Sequence, residues 1–463
     1  MKFNKLCFVV LSLTLVFFSC KQNESAPEAP VETVKKEANA LPDWAKNATL
    51  YEVNVRQFTE EGTFKAFEAH LPRLKEMGVD ILWLMPIYPI SEKERKGTLG
   101  SPYAVTDYKG LNPEFGTKAE FVSLVNTIHR LGMYIILDFV PNHTGWDSQW
   151  LTDHPEWFTQ DAEGNPIDPI DPGTGESWGW TDVADLNYDN HEMRKEMISD
   201  MAFWLTEYDI DGFRMDVAHN VPQDFWDAAS AALHATKNIF MLAEAEVHSH
   251  LNSKAFHANY GWNLHHKINE YAKGELSASE LMEATEGHTK NHQHGFPINF
   301  TSNHDENTWA GTVFDRMGEA HKAMAVFAFT AQGMPLLYGG QEEPLKHRLE
   351  FFEKDNIGFD KYEYAQFYKV LFDLKHKNEA LWNGEYGDKE PTWYSSNPNL
   401  IAFERNHNGD SALVLINAGN EAQSFIIESD FNGNEVFESK SYELKKGDNI
   451  EVPAYGYKVY SSI

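Results

Sequence analysis

After residue 20 the chain has no cysteine; its only two are Cys7 and Cys20. A disulfide framework, a thiolate metal centre and a cysteine nucleophile are therefore excluded from everything downstream. Positive charge is also scarce: 39 Lys and Arg against 70 Asp and Glu leave a formal net charge of −31. Such a field repels phosphate backbones, so a nucleic-acid partner is not expected, whereas an uncharged substrate is compatible with it. Long apolar runs are missing except over residues 7–18, a stretch too short to span a bilayer.

That stretch reads as a targeting segment. Lys2 and Lys5 form a positive n-region, residues 7–18 an apolar h-region, and the segment closes on Ser19-Cys20. It resembles a bacterial lipoprotein signal, which implies cleavage before Cys20, acylation of its thiol and an exported protein held to a cell-envelope membrane by that anchor alone. An ordinary secretory signal is the alternative, but no A-x-A site is present. Residues 21–40, rich in Ala, Pro, Glu, Lys and Asn, read as a flexible tether.

Aromatics, by contrast, are abundant at 13%, with 13 Trp and 19 Tyr. Flat rings pack well on the apolar C–H faces of sugars, although any one Trp is more often a core residue. From residue 48, short apolar runs alternate with helical stripes. The pattern predicts strands over 50–55, 78–86, 133–140, 211–217, 239–243, 298–302 and 335–338. Phe64, Phe67, Leu71 and Leu74 share a helical face, as do Phe121, Leu124, Val125 and Ile128. Met197, Met201, Trp204, Leu205 and Tyr208 form another, and a last helix is expected around Met324 and Phe327. About eight such units predict an α/β protein, a closed (β/α)8 TIM barrel over 41–383. Some fifty residues after the third strand, rich in Pro, Gly, Asp and Trp, read as an excursion domain over 141–190 forming one wall of a cleft. Beyond 384 short strands and the hairpin signal Asn408-Gly409 predict an antiparallel β-sandwich to the end of the chain.

Barrel sites lie at the C-terminal ends of the strands. There the third strand delivers Asp138, Asn142 and His143, the fourth Arg214 and Asp216, the fifth Glu244, and the seventh His304 and Asp305. Arg214 and Asp216, two apart, point to one face of a strand, and a guanidinium favours the ionised carboxylate that a nucleophile requires. A second carboxyl, Glu244, comes from the neighbouring strand. Two carboxyls in opposite protonation states are what glycosidic cleavage needs.

In this order DFVPNH, GFRMD, LAE and SNHD resemble the four signature regions of glycoside hydrolase family 13, the α-amylase family. GVDILWLMPIYP, ADLN, GMPLLYGGQE and SPYAVTDY agree with further family motifs, and the resemblance runs over residues 41–463. It implies Asp216 as nucleophile, Glu244 as general acid/base and Asp305 as transition-state stabiliser. It further implies His143, His304, His219, Tyr103 and Asp107 as substrate contacts, Arg214 as the partner that ionises Asp216, and Asp138 as a structural floor. A retaining mechanism follows, with a carboxyl separation of about 5–5.5 Å. After GFRMD the sequence reads Val-Ala-His219-Asn220, closer to cyclomaltodextrinases and neopullulanases than to amylases carrying Lys-His there. No cofactor is required on this reading; calcium is an option with Asn142 as candidate ligand, but its usual companions are not evident. Dimerisation through an added N-terminal domain is not expected. The implied substrate is an α-1,4-glucan or maltooligosaccharide. An exo-glucosidase, a 1,6-cleaving enzyme or a transglycosylase uses the same residues, and a non-catalytic glucan-binding lipoprotein is the reading from another class. Histidines over 288–294 are too irregularly spaced to favour a metal site over a solvated loop.

Overall fold

The computed structural model describes residues 39–463 apart from 172, 247–252, 291, 293, 395 and 396. The signal segment with Cys20, nearly all of the tether, and part of the 288–294 stretch lie outside the described residues. Eight parallel strands close into a barrel in chain order. They are β1 Leu50–Val53, β2 Ile81–Leu84, β3 Tyr134–Phe139, β4 Gly212–Met215, β5 Phe240–Ala243, β6 Ala258–Tyr260, β7 Phe296–Phe300 and β8 Met334–Tyr338. β8 pairs with β1 to shut the ring.

The period of two along a strand decides which side chains fill the barrel. Leu50, Ile81, Trp83, Ile136, Phe240, Leu242, Ile298 and Phe300 make the interior plug. Their neighbours Tyr51, Leu82, Leu84, Ile135, Leu137 and Met241 face outward to the helices. Following the inward rows toward the C-terminal ends, apolar gives way to charge: Leu50 is followed by Glu52, Ile136 by Asp138, Leu242 by Glu244. In β4 the inward row is Gly212, Arg214, Asp216. Gly212 has φ 155°, and a Cβ there would sit 1.9 Å from the Phe240 carbonyl oxygen. Only glycine lets β4 approach β5 this closely.

β7 begins two residues earlier than its apolar run predicts, a shift that preserves which face points inward. β6 has no counterpart among the expected strands, because three residues reading Ala-Asn-Tyr carry no periodic signal. The outer helices follow their stripes. Lys118–Arg130 is opened by a Thr117–Glu120 capping box and buries Phe121, Leu124, Val125 and Ile128.

Between β3 and the helix His191–Glu207, the short strands His143–Gly145 and Val183–Asp185 pair antiparallel and anchor the excursion. Of its five tryptophans, Trp146, Trp150 and Trp157 pack against the core, while Trp178 and Trp180 stack on each other at 5.7 Å.

The C-terminal region forms a six-stranded antiparallel sheet and a two-stranded one. Strands Ile401–His407 and Asp410–Ile416 meet at Asn408 and Gly409, both with positive φ, as a type I′ turn demands. Alternation again sorts the faces: Ile401, Phe403, Ala412, Val414 and Ile416 join the main core around the barrel helices. Ala402, Leu413 and Leu415 pack instead with Phe425 and Val452 of the small sheet.

Candidate active site

A cleft of about 540 Å³ opens at the C-terminal mouth of the barrel. Its floor carries Asp216, Glu244, His304 and Asp305, its walls Tyr103, His143, Trp180 and Asp182 on one side and Trp309, Phe351 and Phe352 on another. Of the residues expected from sequence, His219 also lines it.

Arg214 is the hub. It is fully buried, and its Nη1 lies 2.8 Å from Asp216 Oδ1 and 3.0 Å from Asp138 Oδ1, while Nη2 lies 2.9 Å from Glu244 Oε2. Trp83, Tyr260 and Tyr103 surround the guanidinium at 5.0, 5.4 and 5.9 Å, a cation–π cage. One cation thus binds three carboxylates from three adjacent strands, with Asp216 and Glu244 on different terminal nitrogens.

The backbone after Asp216 turns through Val217 at φ 45°, a strained conformation for a β-branched residue. The turn lets Val217 N–H donate to Glu244 Oε2 at 2.8 Å. Burial, opposed by Arg214 and reinforced by the charges of Asp216 and Asp305, pushes the Glu244 carboxyl up to about 7. Burial also raises Asp216, against the pull of Arg214. Burial holds His143 down at about 4, so it faces the cleft as a neutral imidazole.

These positions coincide with a known catalytic domain: residues 45–400 match the family model described as the alpha amylase catalytic domain. The chain belongs to the α-amylase family. Among its relatives, alpha-amylase MalA of Haloarcula japonica is 26% identical over 432 residues, covering 88% of this chain and 60% of that one. The intracellular maltogenic amylase of Bacillus subtilis is 26% identical, covering 83% and 66% respectively. The chain therefore spans less than two thirds of the length of these two relatives. The crystal structure of a noncanonic maltogenic alpha-amylase from Thermotoga neapolitana superposes with TM-score 0.79 at 28% identity, covering 90% of this chain and 99% of that one. Membership in the family accords with the closed barrel and the C-terminal antiparallel sheets described above, an arrangement that aligns with that neighbour over 90% of this chain.

Within this α-amylase-family site most residues expected from sequence converge, and one does not. Asp138 is buried beneath the cleft, where Arg214, Trp83 Nε1 and the Tyr103 hydroxyl all reach it. Asp107 is not at the cleft; it is exposed, and its carboxylate accepts the Lys109 N–H within its own turn. It stands four positions after Tyr103 and outside the residues that line the cleft. The Asn142 side-chain amide nitrogen lies 3.2 Å from His143 Nδ1, and its backbone carbonyl accepts from Leu186 N–H. Among the described residues no three His, Cys, Asp or Glu side chains converge to hold a metal ion.

Other contributors escaped the sequence reading. Glu52 lies buried under His304, an inward-facing acid in the otherwise apolar run Leu-Tyr-Glu-Val that signals a polar role. Trp309 stands 56% exposed on a single π-helical turn, Glu306–Ala310, braced by Phe351 at 5.4 Å. Lys96 reaches across the cleft edge to Asp182 at 2.7 Å, tying the loop after β2 to the excursion. Nothing local in the sequence marks these last two.

Proposed function

We propose that the protein hydrolyses α-1,4-glucosidic bonds in starch-like glucans or maltooligosaccharides with retention of configuration. The observation that carries this reading is the Arg214 fork, which presents Asp216 and Glu244 to one cleft with different environments. Asp216, paired to Nη1, attacks the anomeric carbon while Glu244, holding a proton near neutrality, gives it to the leaving glycosidic oxygen. The C1–oxygen bond breaks, a glycosyl ester on Asp216 forms, and the aglycone leaves. Glu244, now a carboxylate, takes a proton from water. The hydroxide adds at C1 and releases Asp216. His143, His304 and Asp305 hold ring hydroxyls, and Tyr103 supports the sugar from the side. The names of the relatives, amylase and maltogenic amylase, support an α-glucan substrate. Trp178 and Trp180 on one wall, with Trp309 and Phe351 on the other, offer flat faces for sugar rings on either side of the cleaved bond.

The test is a product profile on starch, pullulan, maltoheptaose and isomaltose, with Asp216→Ala as control. Mixed short maltooligosaccharides support endo-acting α-1,4 hydrolysis. Glucose alone or products longer than the input move the assignment to an exo-glucosidase or a transglycosylase. Binding without turnover overturns the hydrolase reading.

We also infer an envelope lipoprotein from Lys2, Lys5, the apolar run and Cys20. Palmitate labelling that persists in Cys20→Ser would sink that assignment.

A further inference from the structure

Glu52 is the one charged residue of β1, and no step above uses it. Both it and His304 are buried, and Glu52 Oε1 lies 2.5 Å from His304 Nδ1. Its other oxygen, Oε2, has no hydrogen-bond partner among the described residues. A buried carboxylate with an idle oxygen is expensive unless a cation faces it. On the far side of the imidazole, Nε2 lies 2.9 Å from the Tyr103 hydroxyl and 3.3 Å from Asp305 Oδ2. The Tyr103 hydroxyl in turn lies 3.0 Å from Asp138 Oδ2, and Asp138 Oδ1 accepts from Arg214. A chain of contacts therefore runs from β1 across the barrel to the nucleophile: Glu52, His304, Tyr103, Asp138, Arg214, Asp216.

The direction of the protons along this chain depends on one choice. If His304 is neutral with its proton on Nδ1, Nε2 is an acceptor. Tyr103 then donates to it, and Asp138 loses a donor. If His304 is charged, Nε2 donates to Asp305 and to Tyr103, and the Tyr103 proton is committed to Asp138. In the first case Asp138 Oδ2 keeps only the Trp83 Nε1–H donor and Asp305 receives nothing from His304; in the second Asp305 gains a donor and Asp138 Oδ2 has both Trp83 and Tyr103, while Glu52 Oε2 is unpaired in either.

Resting on the hydrolase reading above, we propose that Glu52 is a positioning residue that holds His304 as an imidazolium, so that Nε2–H donates toward Asp305 and a substrate hydroxyl while Tyr103 is locked onto Asp138. The groups facing His304 agree. Glu52 stands on β1, Asp138 on β3, Arg214 and Asp216 on or just after β4, and Asp305 beside it, with Tyr260 and Tyr338 nearer Glu52. Glu52, Asp216 and Asp305 stand against one guanidinium, which favours a second cation there, although burial raises Glu52 and lifts Asp138 to about 8. Against burial, which disfavours the charge, Asp305 and Glu52 raise His304 to about 9.

The test compares the whole enzyme with Glu52→Gln, an isosteric change that keeps an oxygen for Nδ1–H but removes the charge. Losing one adjacent carboxylate should lower the His304 titration by about 1–3 units. The ratio of variant to wild-type kcat on maltoheptaose should then lie within about threefold at pH 5.5. It should fall by on the order of tenfold by pH 8, as the cation is lost. In a His304→Gln background the same substitution should change little, because Glu52 acts through His304. A kcat ratio that is flat with pH, or an equal loss in the His304→Gln background, overturns the proposal. Should Glu52→Gln fail to fold, nitrogen-15 spectra of the histidines in the wild-type enzyme decide. A doubly protonated His304 at pH 7.5 is expected, and a neutral one overturns the proposal. Those spectra do not depend on turnover, so a protein inactive on every glucan would defeat the hydrolase reading while leaving the state of His304 measurable.

Discussion

At the residue scale, the chemistry depends on how one guanidinium divides its attention. Arg214 neutralises Asp138 and Asp216 and also touches Glu244, yet burial and neighbouring charge keep Glu244 at about 7. A general acid must be protonated to act, so activity is lost as pH rises through that value. Asp216 must be ionised, and its raised value sets the acid side. The expected kcat/KM profile is a bell whose alkaline limb lies near 7, read from initial rates across pH. Glu244→Gln should lower kcat by about 10²–10⁴-fold, with the alkaline limb gone from any residual rate. Arg214→Met removes the charge common to the buried Asp138 and Asp216 and to the partly buried Glu244. It should cost about 3–5 kcal/mol in denaturant unfolding, besides abolishing turnover.

At the element scale, backbone conformations set where these side chains stand. β4 can lie against β5 because position 212 has no Cβ. Gly212→Ala drives a methyl into the Phe240 carbonyl, which is backbone and cannot turn aside. Failure to accumulate as soluble folded protein is the expected outcome, checked by expression and circular dichroism. The helix Lys118–Arg130 shows a milder dependence: Thr117→Ala removes half of its capping box and should cost about 1 kcal/mol without changing kcat. Activity lost in parallel with stability would show that this helix does more than brace β3. Val217 is the third such element, a strained turn whose N–H holds the acid.

For the molecule as a whole, the barrel and the C-terminal sheets share one core. Phe403 and Val414 belong to the cluster that surrounds the barrel, and the described residues from 39 onward form one compact unit. Buried Arg405 bonds the carbonyls of Thr330 and Ala331 at the end of a barrel helix and that of Asp388 beyond it. Unfolding of this region should be a single cooperative transition in calorimetry. A chain ending at 383 should aggregate, because it bares the apolar surface that Ile401, Phe403 and Ile416 now cover. Two separated transitions, or a soluble active fragment, would contradict the shared core.

The strand-and-helix alternation, the hairpin at Asn408-Gly409 and the carboxylates at strand ends were all legible in the sequence, because each is written in local periodicity or at a position two residues from its partner. The inward parity of Arg214 and Asp216 needed no structure. Three-residue β6 was not legible, since so short a run has no period. Asp107 was implied by the resemblance of SPYAVTDY to a family motif, and only the structure shows its carboxylate accepting from Lys109 N–H within a turn. Glu52 was visible as an acid in an apolar strand, but its partner lies 252 residues away. Trp309 and Lys96 likewise reach the cleft through loops whose path no local rule dictates. The sequence alone determined the barrel, the order of the ionisable groups at its strand ends and its family. The tertiary structure alone decided which distant charges meet, because desolvation and the sharing of Arg214 are properties of the closed barrel and of no segment within it.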